Sequence, residues 1–540
     1  MRALGGKDPT RRPGGRRTSR PGRGRLAAAL LALLMLGCFF GLAAAAGASV
    51  PGAAAPDSSA EGLLARLALQ QARLIAADGA ADDGFGSTVA VSGDTALVGA
   101  PFHDTAGVAD AGAAYVFTRS GGAWTLQAQL IVGDGAPGDQ FGSSVALFGG
   151  TALVGAPQHD TAGRANAGAA YVFVRSGDSW ALQQKLIAAA GAAGDLFGYY
   201  YGVAIFGDTA LVGAPSHDSA GQADAGAAYV FTRSGGSWTQ QQKLIAADGV
   251  TVDQFGSSVA VSGETALVGA PGHTVVGERS AGAAYVFTRS AVAWTQQAEL
   301  TAAGGAGFDQ LGASVALSGE TALVGAPWHN TVGKPGVGAA YVFTRSAVAW
   351  TQQAELSAAG AGAFDQVGAS VALSGETALV GAPYHNTASK VHTGAAYVFT
   401  RFGGSWTARD RLIGAAAGDD FGVSVALSGA AALVGAPEHD SAGMANAGAA
   451  YIFLSLPAIT KLLPASGKRG AFVTISGTDF GAARGTSSVK FGAKKCAQYV
   501  SWSATRIKCR VPAQAKYGAV NVTVTTTAGK SNAKRFTVKP

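Results

Sequence analysis

The chain has 540 residues, 48% of them hydrophobic and only 14% charged, with 79 glycines. That length exceeds what one hydrophobic core usually sustains, and the composition favours strands and tight turns. The formal net charge of +7 misleads as a whole-chain property, because it is segregated along the sequence.

Residues 1–48 carry nine Lys/Arg against Asp8, and from Leu26 to Ala46 they form an uncharged, mostly apolar run that ends in small residues such as Ala46-Gly47-Ala48. A basic lead, an apolar stretch and small residues are the parts of a secretory signal, so the expectation is an exported protein, secreted or at the cell surface. The run is also long enough to span a bilayer if left uncut, which keeps a membrane-anchored form open. Cys38 follows Met35-Leu36-Gly37 and is continued by apolar residues, a poor lipoprotein box. Residues 49–68 read as a linker.

From Leu69 the sequence repeats, and a period of tens of residues must be read before any local motif. The phrase Val-Gly-Ala-Pro starts at Val98, Val154, Val212, Val268, Val324, Val380 and Val434, in steps of 54 to 58 residues. Each unit holds four extended segments, first seen as FGSTVAVSG, TALVGAP, GAAYVFTRS and WTLQAQLIV between Phe85 and Val132. Beta-branched, aromatic and alternating residues bounded by glycine, proline or aspartate mark strands. Four strands taken seven times predict an all-β, seven-bladed β-propeller over 69–453. The array opens on an orphan fourth segment, LQQARLIAAD at Leu69 to Asp78, and closes at GAAYIF, Gly448 to Phe453, with no fourth segment after it. Seven complete blades therefore require the first and last pieces to share one blade, which closes the ring and removes an exposed edge.

These residues resemble the FG-GAP repeat, the unit of the integrin alpha-chain propeller. The "FG" stands at Phe85-Gly86, Phe141-Gly142, Phe197-Gly198, Phe255-Gly256 and Phe421-Gly422, with Leu311-Gly312 and Val367-Gly368 in units five and six, and "GAP" is present in all seven. The resemblance implies a propeller with the "FG" strand innermost. It also implies calcium in an acidic loop between the first two strands, but here that connection shrinks to a tight turn with one acid (Asp94, Asp208, Glu264, Glu320 or Glu376), or none in units two and seven. Calcium takes six to eight oxygens, so hairpin chemistry is the better reading and no metal is assigned there.

Loops on alternate sides of such blades differ in length, and the longer set marks the likelier recognition face. On it lie seven histidines, His103, His159, His217, His273, His329, His385 and His439, each in a "GAPxH" loop and four of them followed by aspartate. On the same face lies an aspartate two residues before every "FG" equivalent: Asp83, Asp139, Asp195, Asp253, Asp309, Asp365 and Asp419. A catalytic site needs unlike groups in unlike roles, and seven equivalent His-Asp pairs do not supply them. Loop shaping is expected of the histidines, with a shared metal or ligand ring as the alternative. Turn capping is expected of the aspartates, with a carboxylate ring at the channel mouth as the alternative.

Departures from the repeat are where recognition is expected. Unit three inserts two residues and places Tyr199, Tyr200 and Tyr201 in its first segment; units four to six rewrite the long loop and bring Trp328 and Tyr384 beside Arg279, Lys334, Lys390 and His392. Aromatics beside cations suit glycan stacking or a protein hot spot. No GxSxG, GxxxxGK or HExxH motif occurs, no cofactor is implied, and no residue set recommends an enzyme.

After Phe453 the residue pattern changes. Residues 458–540 hold fifteen Lys/Arg against Asp479, in short alternating segments of the kind a β-sandwich uses. Pro457 to Pro540 resembles the IPT/TIG immunoglobulin-like fold through PASGKRGAFVTISGTDFG, VKFGAKKC, ATRIKCRVP and VNVTVTTTAGKSN. Cys496 and Cys509 lie in neighbouring predicted segments and are expected to form one disulfide. Such domains touch DNA in transcription factors, but export argues for an adhesive or spacer module. The expectation for the whole chain is a non-enzymatic recognition or adhesion protein with an extracellular protein or glycan ligand. Nucleic acid is not an expected partner, and the membrane is engaged only through the N-terminal segment if uncleaved. A carbohydrate-active enzyme using the propeller as scaffold and a purely structural surface protein are the rival readings.

Overall fold

The computed structural model describes residues 69–540 except 121, 292, 348, 455–456, 482 and 527–528. The expected leader (1–48) and linker (49–68) lie outside the described residues. Among the described residues no helix is long and apolar enough to cross a membrane.

Six sheets have four antiparallel strands in chain order, and a seventh joins three consecutive strands to one from the start of the array. In blade one these are Thr88–Ser92, Thr95–Ala100, Ala113–Ser120 and Ala123–Leu130. The second strand, TALVGA in six blades and AALVGA in the seventh, is buried almost throughout because both of its faces meet neighbouring blades, so its side chains read as a continuous apolar run. The fourth strand, at the rim, keeps its alternation: in WTLQAQL only the terminal Leu130 is fully buried. The core therefore lies between blades. Leu323 and Val342 of blade five pack with Val371, Val380, Tyr397 and Phe399 of blade six, for example.

Blade seven is completed by the N-terminal segment, as the unpaired first and last segments require. Leu69–Leu74 runs antiparallel to Ala449–Leu454, with Leu74 opposite Ala450 and Arg73 opposite Tyr451. The first strand of each blade packs on that of the next, and blade seven's packs on blade one's. One valine from each blade, Val89, Val145, Val203, Val259, Val315, Val371 and Val425, lines the central cavity of about 100 Å³.

The two motif glycines have one steric cause. Gly142 of unit two donates its N–H to Gly155 O at 2.9 Å in its own blade, and its carbonyl accepts from Thr88 Oγ1 of the preceding blade at 2.7 Å. That carbonyl is so close to Gly99, the "GAP" glycine of blade one, that a Cβ on Gly99 would come within 2.1 Å of it. "FG" and "GAP" are thus the two sides of one blade-to-blade contact that only glycine admits. The closing contact obeys the same rule, since a Cβ on Gly435 of blade seven would meet Gly86 O at 1.9 Å.

The C-terminal region forms two sheets. One holds Ala458–Leu463, Phe472–Thr478, Arg506–Arg510 and Tyr499–Trp502. The other holds Ser466–Lys468, Lys534–Lys539, Gly518–Thr526, Ser488–Phe491 and Lys494–Lys495, with Gly529–Lys530 beside Gly518–Thr526. Between them Ile459, Val473, Phe491, Ile507, Val522 and Phe536 form a core, as a sandwich requires. The expected disulfide is corrected: Cys496 and Cys509 are buried free thiols. Cys496 lies in the loop after Lys494–Lys495, and its Sγ donates to Arg510 O at 3.0 Å and to Gln498 O at 3.4 Å. Contact with Cys496 and burial push the Cys509 thiol up, which keeps it protonated.

Candidate functional site

The long-loop face is built from one cell repeated seven times. Each histidine donates Nδ1–H to the aspartate two residues before "FG", twenty or so residues upstream, at 2.6 to 2.9 Å. The neighbouring aspartate of the "HD" pair is not the partner. Asp104 instead closes its own loop by accepting from Asp110 N at 2.9 Å, as Asp160, Asp218 and Asp440 do for Asn166, Asp224 and Asn446. The upstream aspartate also caps its own turn: Asp83 accepts from Ala80 N at 2.8 Å and Asp139 from Ala136 N at 2.8 Å. Turn capping is therefore found, together with a second job that the spacing in sequence concealed.

A carboxylate only accepts, so Nδ1 carries the hydrogen and Nε2 offers a lone pair when the ring is neutral. Each ring sits edge-on to a tyrosine of the third strand, with centroids 5.8 to 6.1 Å apart. The residue paired with that tyrosine on the fourth strand faces Nε2. In five cells it is a donor: Gln129 at 3.3 Å, Lys185 at 2.6 Å, Lys243 at 3.4 Å, Arg411 at 3.3 Å and Arg73 at 3.2 Å. The bond to Asp83 holds His103 above its ordinary value, and the bond to Asp309 does the same for His329.

On the opposite face the turn acids pair with arginine. Arg119 meets Asp94 at 2.5 Å and Arg401 meets Glu376 at 2.5 Å, while Arg289 pairs with Glu264 and Arg345 with Glu320. The same guanidinium groups stack on the tryptophans that begin the fourth strand, Arg119 over Trp124 at 5.7 Å for instance. Arginine occupies these carboxylates where the family would put calcium.

The sevenfold order breaks at the channel mouth. Tyr201 donates its hydroxyl to Val423 O of blade seven, while its own carbonyl accepts from Val259 N at 3.0 Å. Tyr200 stacks edge-on with Tyr199 at 4.9 Å and lies 6.5 Å from Tyr201. Tyr200 and Tyr201 line the cavity, and Tyr384 and Glu438 are within electrostatic reach of Tyr200. Tyr384 in turn packs on His392, centroids 5.2 Å apart. Asp420 stands here where other units have Gln140, Gln254, Gln310 and Gln366. Burial, then Glu438 and Asp419, push its carboxyl up to about 7. A carboxyl raised in the folded state contributes most below its unfolded value and loses that contribution as pH rises through 7. Asp420→Gln is therefore expected to stabilise the propeller by about 2 kcal/mol at pH 8, after allowing for partial exposure, and by nothing at pH 4, read by denaturant titration at both. Equal effects at the two pH values would contradict the assignment.

Two of the expected cations are tied to backbone carbonyls. Lys334 Nζ donates to Ala361 O at 2.9 Å and Lys390 Nζ to Ala415 O at 2.6 Å, each bracing the next blade's loop. Arg279 is exposed, and its carbonyl accepts from Phe308 N at 2.8 Å. Trp328 is half-buried, and a Cβ on Gly336 would lie 3.1 Å from Phe364 and 3.4 Å from Trp328. What sequence reading missed are the apolar residues around these: Val252, Val276, Phe308, Val332 and Phe364 are all exposed. Val252, Phe308 and Phe364 have φ of 68°, 70° and 65°, where other units use Gly138, Gly194, Gly418 or Asp82. The signal was available in alignment of the units, as a bulky residue standing where its counterparts are glycine or aspartate.

A closed ring of seven four-stranded blades, with one His–Asp–Tyr cell per blade, defines a repeat propeller scaffold. The chain belongs to the FG-GAP repeat family, which matches residues 69–117, 124–173, 180–231, 238–287, 294–343, 350–399 and 406–453. Residues 457–538 match the IPT/TIG domain. No curated protein matches the chain. Among solved structures it is similar to a fungal alcohol oxidase of the AA5 family in complex with copper, at 12% identity over 88% of this chain and 100% of that one, with a TM-score of 0.43. At that score the likeness bears on no point of chemistry here. An FG-GAP propeller with a TIG domain is the build of a protein-binding or adhesion scaffold.

Proposed function

We propose that this is an exported, non-enzymatic adhesion or recognition protein that binds an extracellular protein through the long-loop face of blades four to six. One observation carries the reading. Val252, Phe308 and Phe364 are exposed to solvent in a left-handed backbone conformation that bulky residues avoid, at positions their counterparts fill with glycine or aspartate. Strain of order 1 kcal/mol or more per residue, kept with no core to reward it, is expected of a site and not of a scaffold. Trp328 lies beside Phe364 across Gly336, and Tyr384 packed on His392 occupies the corresponding loop of blade six, so the face carries the aromatic anchors that protein interfaces favour.

The test is a matrix-protein and glycan array probed with the secreted chain and with Phe308→Gly, Phe364→Gly and Tyr384→Ala. Loss of at least about tenfold in affinity for a protein ligand, with Phe308→Gly no less stable than the parent, is the expected result. Unchanged binding by all three removes the patch, and binding to glycans alone replaces the ligand class. Mass spectrometry of the mature N-terminus tests export: cleavage near Ala48 supports it, and an intact Met1 on a cytoplasmic chain refutes it.

A further inference from the structure

The blade-four cell inverts the charge of its siblings. Three cells carry an aspartate 25 residues before the histidine: Asp78, Asp134 and Asp248. In blade one Gln129 donates to Asp78 at 2.9 Å, and in blade two Lys185 donates to Asp134 at 2.9 Å, so the carboxylate is answered by the fourth-strand residue. In blade four that residue is Glu299. His273 Nε2 then lies 3.8 Å from Asp248 Oδ2 and 3.6 Å from Glu299 Oε1, and the three donor atoms lie within 4.8 Å of one another. The hydroxyl of Tyr285, wholly buried and facing the same two acids, is turned toward Asp248 but makes no hydrogen bond of ordinary length and angle.

We propose that His273, Asp248 and Glu299 form a binding site for a divalent transition-metal ion, with water completing the coordination.

Four features fit that ion. Asp253 holds Nδ1–H at 2.9 Å, which turns the Nε2 lone pair into the site and is the carboxylate–histidine–metal arrangement. Two carboxylates and one neutral imidazole match a divalent charge. Ligands set tetrahedrally about 2.0–2.1 Å from zinc stand roughly 3.3 Å apart, so each carboxylate need close on His273 by only about 0.5 Å or less and on the other carboxylate by at most about 1.5 Å, and Asp248 and Glu299 are exposed enough to move. The hydroxyl of Tyr285 is placed to hydrogen-bond a metal-bound water. An imidazole among only three protein donors favours zinc-class ions over calcium or magnesium.

The test is equilibrium dialysis and calorimetry with zinc chloride on the secreted chain, beside Glu299→Lys and Glu299→Gln. These variants rebuild the blade-two and blade-one cells, so the fold is preserved by design. One equivalent of zinc should bind the parent, resist millimolar calcium, and weaken at least about 100-fold in both variants, while Glu355→Lys in blade five leaves it unchanged. Cobalt in place of zinc should give a visible spectrum free of thiolate charge transfer, which separates this site from Cys496 and Cys509. No tight equivalent in the parent, or equal affinity in Glu299→Lys, overturns the proposal.

Discussion

Removal of residues 69–76 is expected to abolish cooperative folding of the propeller, the largest single effect the structure implies. The segment is the fourth strand of blade seven, and its loss leaves Ala449–Leu454 as an open apolar edge, a template for association with other chains. It also removes Leu74, which is buried among Val89, Val98, Tyr115, Leu433 and Ile452 at the junction of blades seven and one. Arg73 opposite His439 would go with it, as would Gln71, which accepts from Trp124 Nε1 at 3.3 Å and donates to Gly122 O at 3.2 Å in blade one. Leu74→Ala alone should cost about 2–5 kcal/mol, against a total stability of order 5–15 kcal/mol for a folded domain. Light scattering should show the truncated chain as soluble oligomer or aggregate, and calorimetry should show no sharp transition. A monomer with the parent's melting temperature would mean that the ring is not held by this strand.

Gly142→Ala is expected to cost about 4 kcal/mol or more. Its φ of 98° lies outside even the left-handed helical region, and a Cβ would stand 2.4 Å from Ala113 O and 3.2 Å from Ala100 N. Both are backbone atoms of the preceding blade, so no side chain can swing away to make room. Gly149→Ala is the matched control: its φ of 55° is one that L residues tolerate, nothing lies within 4 Å of the added carbon, and about 1 kcal/mol is expected. Denaturation midpoints of the two variants should differ several-fold in their displacement from the parent. Equal displacements would show that conformational freedom alone, and not the blade-to-blade contact, selects glycine in the motif.

Seven blades, their strand order and their closure were readable from the chain because each follows from local pattern and from counting: a repeated strand grammar, glycine and proline punctuation, and unmatched first and last segments. The second β-domain was readable for the same reason. The partner of each histidine was not. Sequence adjacency suggested Asp104 for His103, yet the fold brings Asp83 across from the preceding connection, because the loop that leaves one strand and the loop that enters the next meet on one face. The partners of two cations in the expected binding loops were not legible either, since Lys334 and Lys390 reach the carbonyls of Ala361 and Ala415, 27 and 25 residues further along the chain.

The sequence by itself determined the architecture, since strand period, turn chemistry and the sterics of "FG" against "GAP" are short-range properties repeated seven times. Only the tertiary structure decided which charges answer which. Blade two neutralises Asp134 with Lys185, and blade four sets Glu299 against Asp248, because the register of the fourth strand brings residues some fifty positions apart onto one histidine. Pairing of that kind depends on distance in space, which no period along the chain encodes.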